Sequence, residues 1–260
     1  MASDISPKAV VSPKAKIGDG CKIYPFVYIE DQVEIGDNCV IHPFVSILNG
    51  TKMGNNNKIH QGSVLAALPQ DFAFTGEQSE LIIGDNNIIR ENVVINRATH
   101  AGGQTVIGNR NFLMEGAHIS HDTKVGNNNV FGYGVKVAGD CEIGNGVIFS
   151  SSVIENAGTR VGDLAMIQAG TTFSRDIPPY IIAGGTPVAY GGPNNKIMEV
   201  WNIDEKIRKH VANAYRLIFH GQNSVFDAIL QVRDQVPDSP EIQAIIQFVK
   251  TTKQGIICKM

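Results

Sequence analysis

The sequence predicts an all-β solenoid of parallel strands followed by a C-terminal α-helical domain. Three observations carry the prediction. An aliphatic residue recurs at every sixth position over two-thirds of the chain, and Gly, Asn and Asp recur between those positions. After about Pro193 the hydrophobic spacing changes from six residues to that of a helix.

The six-residue frame opens at Ile5 and runs through Val11, Ile17, Ile23, Ile29, Ile35, Ile41, Ile47, Met53, Ile59 and Leu65. It resumes at Ile83, Ile89 and Ile95, again from Ile107 to Phe149, and closes with Val161, Ile167 and Phe173. Of the 29 frame positions from 5 to 173, 25 hold Ile, Val, Leu, Met or Phe. Average composition would fill roughly ten. The exceptions are Asp71, Glu77, Ala101 and Glu155. A period of six suits neither a helix nor an alternating strand. It suits a coil in which one side chain per hexad points inward and three hexads close a triangular turn. At roughly 4.8 Å per coil, about ten coils make a prism about 45 Å long.

The corners have their own signature: IGDG at 17–20, IGDN at 35–38, MGNNN at 53–57, IGDNN at 83–87 and VGNNN at 125–129. Gly, Asn and Asp tolerate the left-handed backbone that tight corners need. Residues 66–81 and 96–106 keep the count of six but lose the aliphatic signal, so they read as loops leaving the prism. Loops on a rigid scaffold commonly carry function.

The prism is expected to occupy residues 1–193 and the helical domain residues 194–260. Ile203, Ile207, Val211, Ala214, Tyr215 and Ile218 share one face of a helix over 203–219. HGQN at 220–223 breaks it, and Ser224 caps a second helix over 224–235. PDSP at 237–240 starts a third helix, which runs to about Thr252.

Composition excludes several functions. The net charge is −3 and the pI about 6.2, which leaves no basic surface for nucleic acid. No apolar run approaches the length of a membrane span, and MASDISPKAV lacks the apolar core of a signal peptide. Cys21, Cys39, Cys141 and Cys258 form no CxxC pair, so a disulfide framework is not expected and a cytoplasmic protein is. The offset of 18 residues between Cys21 and Cys39 reads as small wall packing.

The densest chemistry is AHISHD at 117–122. Ile119 takes the inward place, so His118 points outward and His121 lies at or beside a corner. Two readings fit the spacing: a general base with Asp122 orienting its ring, or two solvated histidines. Two ligands leave a metal shell incomplete. His42 and His60 differ by one coil and should stack, as a surface ladder or a ligand pair. Asp71 is either a sugar-binding carboxylate or an ordinary loop acid. Glu155 is expected to turn outward through a local bulge.

Taken in order, QDFAFTGE at 70–77, GAHISHD at 116–122, RDIPPYIIAGG at 175–185 and the terminal AYRLIF resemble the UDP-N-acetylglucosamine 3-O-acyltransferase family of lipid A biosynthesis. The resemblance spans essentially the whole chain. It implies a left-handed parallel β-helix and a homotrimer with sites between subunits. The implied reaction moves a (3R)-hydroxyacyl chain from acyl carrier protein to the 3-hydroxyl of UDP-N-acetylglucosamine, without a metal or redox cofactor. On the matching positions His121 is the general base, Asp122 its support and the Gly139 N–H the oxyanion donor. Asp71, His118 and Asn194 match substrate contacts, and Ala169 matches the position that limits chain length.

The chain also departs from the family pattern. Asn96, Asp140 and Asn156 stand where histidine is common, Ala73 where lysine is, and Ala157 where glutamine is. Val200 and Trp201 replace a basic pair that helps hold the nucleotide, which leaves a 3-amino sugar nucleotide open as the acceptor. The rival readings are the sister N-acyltransferase, a coenzyme A-dependent acetyltransferase, a non-catalytic scaffold and a zinc hexapeptide protein. The N-acyltransferase usually carries a domain before its hexads, whereas here the hexads begin at Ile5. The loop at 70–77 and the long helical domain favour the carrier-protein enzyme over the coenzyme A enzyme.

Overall fold

The computed structural model describes residues 2–221 and 224–259. Among the described residues, short strands, most of two residues, stack into three sheets of twelve, nine and eight strands, parallel except for one pair at the C-terminal end of the first. Successive strands enter the sheets in rotation, so each pairs with the strand one coil away: Ile23 with Ile41, Ile29 with Ile47, Ile17 with Ile35. The frame residues point inward as predicted and are almost wholly buried from Ile23 to Phe173, outside the two loops. Burial of this continuous aliphatic column is the main force holding the coils together. Ile5, Val11 and Ile17 are more exposed, because the first coil has no coil beneath it.

The corner asparagines divide into two kinds. Asn56, Asn86 and Asn128 have φ between 58° and 60°, the conformation that the corner motif requires. Their neighbours Asn57, Asn87 and Asn129, and Asn111 after the corner residue Arg110, turn inward and are buried. The Oδ1 atoms of Asn57, Asn87 and Asn111 accept the backbone N–H of the next rung at 2.8, 2.8 and 2.9 Å. Cys39 and Cys21 continue this column toward the N-terminus, with thiols directed at the carbonyls of Gly54 and Gly36.

Both loops leave the same corner, between the second and third sheets. One joins strand Val64–Ala67 to Glu80–Ile83, and the other joins Val94–Asn96 to Gln104–Ile107. The excursions are therefore shorter than 66–81 and 96–106, because strand pairing continues at each base. Glu155 is not outward. It occupies the inward place of strand Ile154–Glu155, between Val137 and Phe173, and is fully buried. The strand pairs in normal register there, so no bulge turns the side chain out.

Beyond the prism, Ile181–Gly184 and Ala189–Pro193 form an antiparallel pair, and Cys258–Lys259 adds beside the latter. Among the described residues four helices follow the pair: α1 (Asn195–Val200), α2 (Glu205–His220), α3 (Val225–Gln235) and α4 (Pro240–Lys250). The helix predicted from 203 starts at Glu205, because the Asp204 side chain accepts from Lys206 N–H and fixes the N-cap. Ser224 and Ser239 cap α3 and α4 in the same way. The short α1 has no side-chain cap and was not among the predicted helices. Gln222 and Asn223 of the predicted break lie outside the described residues. Several contacts tie the helices to the prism, two of them prominent. The buried Tyr215 hydroxyl donates to Pro179 O at 2.6 Å, and the Arg160 guanidinium lies over the Phe248 ring.

Candidate active site

His121 sits on the corner from which both loops project, one coil above the second of them. The corner buries most of its ring. Its Nδ1 lies 2.9 Å from Asp122 Oδ2, and its Nε2 faces Asp71 Oδ2 at 3.6 Å. The first distance is a charge-assisted hydrogen bond; the second is too long for one. Asp71 reaches this place because the first loop folds on itself. Asp71 Oδ1 accepts from Ala73 N–H at 2.7 Å, an Asx-turn that leaves Oδ2 facing the imidazole. Beyond it Glu77 accepts from the Thr75 N–H and hydroxyl, which lowers its pKa to about 2.

Gly139 lies one coil above, against the His121 ring. A Cβ built on it would fall 2.4 Å from His121 Cε1 and 2.8 Å from Nε2. Glycine is needed here for space, since its φ is ordinary. The Gly139 N–H donates to no group among the described residues. Burial raises the Asp122 carboxyl, but hydrogen bonds from Thr99 and His121 outweigh that and hold it below the ordinary carboxylate value. His118 is half-buried on the strand leading to the corner, and its pKa is lowered by burial, with Lys136 and His121 adding to the effect.

The arrangement has the parts of an acyl-transfer site. It holds an oriented imidazole, a carboxylate on each ring nitrogen and an unused backbone N–H beside the ring. A family model described as UDP N-acetylglucosamine O-acyltransferase, domain 2, matches residues 176–257. A bacterial transferase hexapeptide model of six repeats matches 14–49, 32–67 and 104–139. The acyl-(acyl-carrier-protein)–UDP-N-acetylglucosamine O-acyltransferase of Sulfurihydrogenibium sp. is 44% identical over 254 residues, covering 97% of this chain and 94% of its own length. Its namesake from Sulfurovum sp. is 40% identical over 255 residues, covering 98% and 97%. This chain belongs to the UDP-N-acetylglucosamine O-acyltransferase family. The crystal structure of a family member from Bacteroides fragilis has a TM-score of 0.96 and 47% identity to it, covering 97% of this chain and 99% of that one.

As a member of the UDP-N-acetylglucosamine O-acyltransferase family the protein is an acyltransferase, and its coils form the left-handed parallel β-helix expected. Of the residues that the family resemblance named, one chain brings Asp71, His121, Asp122 and Gly139 together, with His118 beside them. Asn194 and Ala169 lie elsewhere. Asn194 is buried before α1, donating Nδ2 to Leu164 O at 2.9 Å. Ala169 is exposed at the corner between the first and second sheets. The stacked rings of His42 and His60, 4.6 Å apart, are on another corner, as their 18-residue offset predicts.

Among the departures from the family pattern, Asn96 has a visible use. It is buried and donates to Leu68 O and Ala67 O, pinning the base of the first loop. Val200 and Trp201 are partly exposed, and Trp201 packs near Gly146. Sequence reasoning missed Thr99, His100 and Thr105, all of which contact Asp122. Thr105 had a signal, because Thr105, Thr123, Cys141 and Thr159 recur at one-coil spacing along an inner column. Thr99 and His100 lie on a loop and share no period.

Proposed function

We propose that the protein transfers a (3R)-hydroxyacyl chain from acyl carrier protein to the 3-hydroxyl of UDP-N-acetylglucosamine, the opening step of lipid A assembly. The observation that carries the reading is the placement of His121 between two carboxylates, with Gly139 against its ring. With Nδ1–H bonded to Asp122, the lone pair of Nε2 faces the cleft beside Asp71. A sugar hydroxyl entering there meets a base at Nε2 and an acceptor at Asp71.

His121 Nε2 takes the hydroxyl proton as the oxygen attacks the thioester carbonyl. The new C–O bond makes a tetrahedral oxyanion, which the Gly139 N–H stabilises where charge develops. Collapse breaks the C–S bond, and the leaving thiolate takes the proton back from His121. Asp122 stabilises the imidazolium that exists between the two transfers. Asp71 and His118 hold the sugar. Asn194 and Ala169, distant within one chain, act across the interfaces of a homotrimer, where Ala169 limits the acyl chain. The donor, a carrier-protein thioester, places the enzyme in the cytoplasm.

A single assay series tests this. Purified protein is offered hydroxyacyl carrier proteins of several lengths with UDP-N-acetylglucosamine, and in parallel with its 3-amino analogue. An O-acylated product from the hydroxyl acceptor supports the reading. Product from the amino acceptor alone would replace it with N-acylation, a reading that the changed pair Val200 and Trp201 motivates.

A further inference from the structure

The carboxylate that orients His121 is itself held by the second loop. Asp122 Oδ2 accepts from Thr99 Oγ1 at 2.8 Å and from Thr99 N–H at 3.1 Å, besides facing His121 Nδ1. Asp122 Oδ1 faces His100 Nδ1 at 3.1 Å. The Asp122 N–H donates to Thr105 Oγ1 at 2.9 Å, fixing a residue whose backbone is left-handed at φ 58°. The three helpers come from seven consecutive residues, 99–105, one coil away from the base. The His100 ring is seated against Gly103, where a Cβ would fall 2.7 Å from Nε2. The Asp122 side chain is 7% exposed, so water does little to fix its rotamer.

We propose that Thr99 and His100 are positioning residues that clamp Asp122, keeping Oδ2 on His121 Nδ1 and the Nε2 lone pair toward Asp71. Neither needs to touch substrate. If Asp122 rotated away, no other group among the described residues bonds Nδ1 to select the tautomer, and the fraction of His121 able to accept a proton at Nε2 would fall. The two residues differ in exposure: Thr99 is half-buried, while the His100 side chain is 70% exposed. Thr99 therefore supplies most of the restraint and His100 a smaller part. The catalytic consequence rests on the reading of His121 as the base; the effect on the tautomer does not.

The test uses the full chain with Thr99→Val, Thr99→Ser, His100→Leu and His100→Gln. Nitrogen-15 spectra of the His121 ring need no substrate. They should show one Nδ1–H tautomer in the parent and a mixture in Thr99→Val. In the acyl-transfer assay Thr99→Val should lower kcat about tenfold with KM within about twofold, and His100→Leu should lower kcat about threefold. Thr99→Ser and His100→Gln keep a donor and should restore both readouts. A single Nδ1–H tautomer and parental kcat in Thr99→Val overturn the clamp. If Thr99→Val fails to fold, the exposed pair His100→Leu and His100→Gln decides by the same readouts. If the parent shows no acyl transfer, the spectra still decide the clamp, so the two claims fail separately.

Discussion

Gly139 and His121 are in van der Waals contact across one coil, and only a residue without a side chain fits between that backbone and the imidazole. The contact ties the proposed oxyanion donor to the proposed base, since both are fixed by the same stacked corner. Gly139→Ala must push the ring or the corner by several tenths of an ångström or more. It should lower turnover by at least about a hundredfold while the prism, held by the aliphatic column, stays folded. The measurement is kcat beside a melting curve. Turnover within a few-fold of the parent would show that the ring position is not critical.

Glu155 makes stability depend on pH. Burial raises its carboxyl to about 8, and Oε1 accepts from Thr159 at 3.0 Å while Oε2 has no hydrogen-bond partner among the described residues. The folded state thus binds a proton more tightly than the unfolded chain, whose glutamate titrates near its ordinary 4.5. The sign follows: stability is full below about 4.5 and declines as pH rises through about 8. The decline is on the order of 5 kcal/mol. Glu155→Gln should flatten it, so that melting temperatures at pH 5 and pH 8 differ less than in the parent. An equal difference in both proteins would assign the pH effect elsewhere.

Asn111 is a rung of the interior asparagine column. Its Oδ1 accepts from the buried Asn129 N–H and its Nδ2 donates to the partly buried Gly126 O. Asn111→Val leaves a buried N–H and a buried carbonyl without these partners, at a cost of about 2–5 kcal/mol. Denaturant titration against the parent checks this. A loss below about 0.5 kcal/mol would mean that the column is not structural.

Ala169 tests the proposed trimeric site. Ala169→Gly should lengthen the preferred acyl chain and Ala169→Met should shorten it, read from competition among carrier proteins of different chain lengths. An unchanged profile in both would remove Ala169 from chain selection.

The prism was legible because its core repeats with a fixed period, and inward Ile, Val and Leu cannot be exchanged freely for polar residues. Asp71, Glu77 and Ala101 broke the period because they belong to the loops, and the break located both loops. Glu155 broke it for another reason: the position stays inward and the carboxyl goes with it. His121 and Asp122 were legible as neighbours in sequence. The approach of Asp71 to His121 was not, because that distance depends on an Asx-turn in a segment without periodicity. Thr99 and His100 were hidden for the same reason. The helices were legible from their apolar faces and Ser caps, while the strands at 189–193 and 258–259 lie outside the six-residue frame and carry no pattern.

The central claim is that His121 is the base. The direct measurement is steady-state acyl transfer by His121→Ala and by the parent, with circular dichroism to show that both are folded. The account predicts a fall in turnover of at least about a hundredfold with the fold unchanged. Parental turnover in folded His121→Ala would contradict it and move the proton transfer to another group.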